Sequence, residues 1–128
     1  MHIYSIGLNH NSASINLRER LAFSEEQVRA SLSRLTCGHV SSNIAEMVVL
    51  STCNRIEIYC ASNTPSFKEL EAFLFDTRGI PLHELHPHLY RLKDMDAVHH
   101  LYQVAAGLDS LVIGEPQILG QVTKALEL

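Results

Sequence analysis

Apolar residues at the start of the chain recur at every second position. In HIYSIGL (2–8), Tyr4, Ile6 and Leu8 share one side, with Ile3 and Ser5 on the other, which predicts a strand. NHNSASINL is a polar, turn-rich connector, and LRERLAF (17–23) a short helix closed by Ser24. SEEQVRASLSRL opens on a capping box, Ser24 with Gln27 three residues on, followed by Val28, Leu32 and Leu35 on one stripe. Gly38 supplies its stop. AEMVVLST (45–52) is an apolar run and predicts a buried strand. IEIYCAS (56–62) follows after only Cys53, Asn54 and Arg55, so the two strands form a hairpin or sharp corner with TCNR at its tip. Thr64-Pro65-Ser66 opens another helix, with Glu69 completing a second capping box and Leu70, Phe73 and Leu74 as the stripe; Gly79-Ile80-Pro81 ends it. HLYRLK (88–93) reads as a short strand and DMDAVHHLYQVAAGL as a helix. Residues 107–114 then interrupt, and Pro116 begins a last helix.

The order β-α-β-β-α-β predicts an α+β fold, a ferredoxin-like split β-α-β sandwich with helices covering one face of the sheet, followed by C-terminal helices. The last helix reaches Leu128 in mid-pattern with no Gly, Asn or Pro to close it. That leads to the expectation that 1–128 is a single domain and a fragment of a longer protein, ending in a truncated long helix. Its 128 residues, 46% hydrophobic and 19% charged, suffice for one core and exclude a disordered chain. No stretch approaches the ~20 apolar residues of a membrane span, and no signal-peptide layout opens the chain. A net charge of −4 gives no general basic field, so a nucleic-acid partner has to be held locally or by a part of the protein beyond this sequence. Three sparse cysteines, Cys37, Cys53 and Cys60, imply free thiols and a cytoplasmic setting.

Chemistry concentrates at Ser51-Thr52-Cys53-Asn54-Arg55. A thiolate is the reactive form of Cys, and the Arg55 cation two residues away lowers a thiol's pKa. Thr52 and Asn54 can donate to a carbonyl oxygen as charge develops there. Attack on an activated acyl group to give a thioester follows from this arrangement; the competing reading is a small buried residue beside a solvated Arg. Cys37 and Cys60 read as structural, and the spacings of Cys37, His39, Cys53 and Cys60 are not those of a zinc site. His83, His86 and His88 read as surface residues. His99 and His100 lie on a helix with two apolar stripes, Val98/Leu101/Ala105/Leu108 and Ala97/Val104/Gly107, and periodicity does not choose which histidine is the acid or base. Ser110, Glu115, Gln117 and Gln121 cluster near a helix start, where free N–H groups favour a carboxylate; ordinary capping by Asp109 or Ser110 with Pro116 at the first position competes.

Three stretches, IGLNHNSASINLRERLAFS, VVLSTCNRIEIY and HLYQVAAGLDSLVIGEPQILGQVTKA, resemble in order and spacing the N-terminal catalytic domain of the glutamyl-tRNA reductases. The resemblance implies NADPH-dependent reduction of glutamyl-tRNA to glutamate 1-semialdehyde, the first committed step of five-carbon tetrapyrrole (porphyrin) synthesis. It implies Cys53 as the nucleophile that displaces tRNA and His100 as the residue that orients the ester and assists departure of the ribose oxygen. Thr52, Asn54, Arg55, Ser110, Glu115, Pro116, Gln117 and Gln121 would line the glutamate site, Glu115 reading the amino group. No metal is needed for these steps. NADPH and dimerisation would belong to domains absent from this chain, which would supply only the acyl-transfer half. A homodimeric full-length protein, channelling to glutamate-1-semialdehyde aminomutase, and no membrane partner are further implications. Two other readings remain open: a non-catalytic amino-acid-binding module, which needs Cys53 inert, and a Cys53–His100 thiol esterase indifferent to glutamate.

Overall fold

A computed structural model of the chain describes residues 2–36, 44–52, 54–63, 67–68, 70–72, 79–106 and 122. Strand β1 (His2–Asn9) leads through helices α1 (Ile15–Leu21) and α2 (Glu25–Thr36) to β2 (Ile44–Ser51) and β3 (Arg55–Ser62). Phe67, Lys68, Leu70, Glu71 and Ala72 are helical. A short helix α3 (Leu82–Leu85), a 3-10 turn (His86–His88), β4 (Tyr90–Lys93) and helix α4 (Met95–Ala105) complete the described elements.

Local chemistry accounts for the helix starts. Ser14 caps α1 by accepting from Leu17 N at 3.3 Å. The capping box forms reciprocally: Gln27 N donates to Ser24 Oγ at 3.1 Å and Ser24 N to Gln27 Oε1 at 2.8 Å. Helix α1 thus starts two residues earlier than its apolar pattern suggests, at Ile15, because Ser14 rather than a later residue satisfies the free N–H groups.

All strand pairs are antiparallel, in the order β2-β3-β1-β4. The β2–β3 hairpin is present, but Arg55 belongs to β3, paired with Asn9, and not to the tip. On one sheet face Tyr4, Ile6, Leu8, Val49, Ile56 and Ile58 pack with Leu17, Leu21, Val28 and Leu70 into the main core. The other face is covered too, which corrects the expectation of helices on one face only. Helix α4 lies there, and Val104 with Leu101 and Ala105 packs on Leu50 and Val122. Every second residue of β1 and β3 therefore points into protein, which is why polar side chains of that face are buried. Gly38, the Thr64–Ser66 start with Glu69, the 107–114 interruption and the start of the last helix lie outside the described residues. Among the described residues no helix is long and apolar enough to cross a membrane.

Candidate active site

The three-residue connection between β2 and β3 is shaped by Thr52. Its hydroxyl oxygen accepts from the backbone N–H of Asn54 and of Arg55, each at 3.2 Å, while Thr52 N donates to Arg55 O at 2.8 Å. Phe23 N donates to Ser51 Oγ at 2.9 Å and ties the α1–α2 connection to the end of β2. Asn54 is half-buried. Arg55 is 1% exposed, so its guanidinium sits in the interior and not in solvent, where the competing sequence reading had it.

Its partner there is Glu57, likewise 1% exposed. Arg55 Nη1 lies 3.4 Å from Glu57 Oε2. The same oxygen accepts from the Tyr90 hydroxyl of β4 and faces His100 Nε2 of α4 at 2.5 Å, while Oε1 accepts from Tyr59 at 2.8 Å. Burial pushes the Glu57 pKa up, but the His100 hydrogen bond and charge, the Tyr90 hydrogen bond and the Arg55 charge together outweigh it. The carboxyl is held below the usual carboxylate range. Burial, then the neighbouring Glu57 carboxylate, pushes the Tyr90 hydroxyl well up, so Tyr90 stays a neutral donor.

This meeting needs Gly7. Its register partners are Glu57 on β3 and Tyr90 on β4, so the two side chains bond to each other across the position where β1 has none. A Cβ at Gly7 would lie 2.8 Å from Ile56 O, 2.9 Å from Glu57 Cγ and 3.1 Å from Tyr90 Oη. Helix α4 supplies the lid: Ala97 and Val104 are fully buried, and His100 shares their face while His99 is exposed. Of the two adjacent histidines, the structure turns His100 toward Glu57 and His99 to solvent.

A family model for the glutamyl-tRNA(Glu) reductase N-terminal domain matches residues 6–128. The chain belongs to that family. Among glutamyl-tRNA reductases it is 48% identical to one from Synechococcus elongatus over 124 residues, 95% of this chain and 28% of that protein. A second, from Pseudoalteromonas translucida, is 46% identical over 125 residues, 98% of this chain and 29% of its own length. The solved glutamyl-tRNA reductase from Methanopyrus kandleri aligns with a TM-score of 0.72 at 29% identity, covering 98% of this chain and 27% of its own. The chain spans under a third of the length of these reductase-family relatives.

Against that family, Thr52, Asn54, Arg55 and His100 are placed as above, and Glu57 links the last two. Cys53, Ser110, Glu115, Pro116, Gln117 and Gln121 lie outside the described residues, as does Cys37; Cys60 is buried. No group of three metal-ligating side chains occurs among the described residues. The described residues also do not fit NADPH. No strand leads into a glycine-rich turn. The apolar cavity between the sheet and α4, about 140 Å³ and lined by Ile3, Val48, Leu50, Tyr59, Ala97, Val98, Leu101 and Val122, carries no cationic side chain for a pyrophosphate. Sequence reasoning missed Glu57, Tyr59, Tyr90 and Gly7. The available signal was a lone carboxylate within the apolar strand IEIYC, opposite a glycine within the apolar strand HIYSIGL.

Proposed function

We propose that these 128 residues perform the acyl-transfer half of glutamyl-tRNA reduction, on a scaffold of the ferredoxin-like split βαβ class, to which the order β2-β3-β1-β4 points. One observation carries the reading: Glu57 Oε2 joins Arg55, two residues after the candidate nucleophile in sequence, to His100 from a helix 45 residues further along. Two motifs far apart in the chain meet on one buried carboxylate.

In this reading the Cys53 thiol loses its proton to His100, and its sulfur attacks the carbonyl carbon of the glutamyl ester. A C–S bond forms, the C–O bond to the ribose breaks, and the departing oxygen takes its proton back from His100. Thr52 holds the turn that presents Cys53, and Thr52 and Asn54 donate to the carbonyl oxygen. Arg55, buried beside Glu57 rather than open to a substrate carboxylate, supplies positive charge behind the turn that carries the thiol. Ser110, Glu115, Pro116, Gln117 and Gln121 complete the glutamate site. The ester is already activated by its tRNA linkage, so the thiolate needs no metal. Reduction of the thioester with NADPH falls to a part of the protein beyond these residues.

The test is to incubate the protein with tRNA carrying labelled glutamate, quench in acid and follow the label. Label on the protein that hydroxylamine releases, absent in Cys53→Ser, is the expected result. A folded protein that takes no label, or a Cys53→Ser variant that takes as much, overturns the reading.

A further inference from the structure

We propose that Glu57 and Tyr90 are positioning residues that hold the His100 ring with its proton on Nε2, leaving Nδ1 as the atom that exchanges protons with the reactants. This rests on the reading above that His100 serves the acyl transfer; it adds which ring atom acts and what fixes it.

The argument is one of donors and acceptors. An ionised carboxylate has lone pairs and nothing to donate. Glu57 already accepts from Tyr59 on Oε1 and from Tyr90 on Oε2, with the Arg55 cation at 3.4 Å. Nε2 of His100, 2.5 Å from Oε2, must therefore bring the hydrogen. In its neutral form the imidazole has one N–H, so with that hydrogen on Nε2 the lone pair is on Nδ1. Tyr90 then restricts the ring, its centroid 5.2 Å from that of His100 with the planes at 60°, and its hydroxyl is tied to the same carboxylate. Among the described residues nothing else hydrogen-bonds the ring. His100 is 15% exposed and Glu57 1%, so the Nε2 edge faces inward to the carboxylate and Nδ1 is the ring nitrogen not committed to it. The Ser-His-Asp arrangement, with Nδ1–H on the carboxylate and Nε2 acting, is here reversed. In the step, Nδ1 takes the Cys53 thiol proton as the C–S bond forms and returns it to the ribose oxygen as the C–O bond breaks. The Nε2 proton stays on His100, hydrogen-bonded to Glu57, which remains ionised and balances the transient imidazolium.

The experiment is a long-range ¹H–¹⁵N correlation spectrum of the ¹⁵N-histidine-labelled protein, His100 being assigned by the signals lost in His100→Gln. The expected tautomer is Nε2–H. In Glu57→Gln the amide both accepts and donates, so both tautomers fit and a mixture is expected. Acylation by labelled glutamyl-tRNA should slow by at least ~10-fold with its half-saturating concentration unchanged. Tyr90→Phe keeps the ring and the charge, and covers the case of a Glu57→Gln protein that does not fold; it should keep Nε2–H and acylate a few fold more slowly. A wild-type ring protonated at Nδ1, or wild-type acylation rates in the folded variants, overturns the proposal. A wild-type protein that takes no label overturns the acyl-transfer reading instead, while the tautomer, recorded without substrate, still decides the clamp.

Discussion

Position 7 shows how much one absent side chain controls. Glu57 and Tyr90 stand on either side of β1 and reach each other over Gly7. Two of the three atoms that a Cβ would meet belong to side chains, but the nearest, Ile56 O at 2.8 Å, is backbone in a paired strand and has nowhere to move. Gly7→Ala should therefore destabilise the fold by ~1–3 kcal/mol, as overpacking does. It should also slow acylation through the displaced Glu57. Urea unfolding checks this, as a lower midpoint at unchanged slope. The two groups that meet over Gly7 also make stability depend on pH at both ends. Glu57 is held below its ordinary 4.5, so the unfolded chain binds that proton more readily; its contribution is complete above pH 4.5 and fades as pH falls below that value. Tyr90 is pushed above its ordinary 10.0, so its contribution is complete below pH 10 and fades as the unfolded phenol ionises above it. Urea titrations across those windows should show Glu57→Gln flattening the acid slope and Tyr90→Phe the alkaline one. A variant with the wild-type slope removes the group concerned from the explanation.

Among the elements, those with local signals were legible. The Ser24–Gln27 box specifies the start of α2 within four residues, and it forms with both of its hydrogen bonds. Strands β1, β2 and β3 announce themselves by apolar alternation or runs, and the short link between β2 and β3 leaves a hairpin as the simplest geometry. Helix α4 was legible as a helix, but the face it turns to the sheet was not. Its two apolar stripes are both in contact with protein: Ala97 and Val104 are buried, and Val98 and Leu101 line the cavity. A helical wheel cannot rank faces that are both used, and the partner that does rank them, Glu57, sits 43 residues away. The consequence is a sharp contrast between adjacent histidines. His99 is exposed, and His99→Ala should leave both unfolding midpoint and acylation rate near wild type. His100→Ala removes a donor from a buried carboxylate, a loss of ~1–3 kcal/mol, together with most of the acylation rate. Equal effects of the two substitutions would mean that the Ala97–His100–Val104 face is not the one that α4 turns to the sheet.

At the scale of the whole molecule, covering both sheet faces is what makes a buried polar cluster possible. A sheet with one wet face would leave Glu57, Tyr59 and Arg55 in water, where an ion pair is worth little and a histidine is not held in one tautomer. The element order does not reveal this, because it states which helices cross between strands and not where a helix after the last strand will lie. The same architecture bears on the proposed division between acyl transfer and hydride transfer. Among the described residues, the cavity between sheet and α4 is apolar, about 140 Å³, below the ~300–1,000 Å³ of small-molecule pockets, and lined by no cationic side chain for a diphosphate. Acyl transfer and hydride transfer are therefore expected to come apart on these 128 residues. Protein labelled by glutamyl-tRNA should release free glutamate slowly, by hydrolysis of the thioester, and added NADPH should change neither the rate nor the product. Chromatography of the released label distinguishes glutamate from glutamate 1-semialdehyde, and a fluorescence titration reads cofactor binding directly. Saturable NADPH binding with semialdehyde among the products would place a hydride site within this chain and overturn the division of labour. Glutamate alone, released at the same rate with and without NADPH, would leave the buried Glu57 cluster serving acyl transfer only.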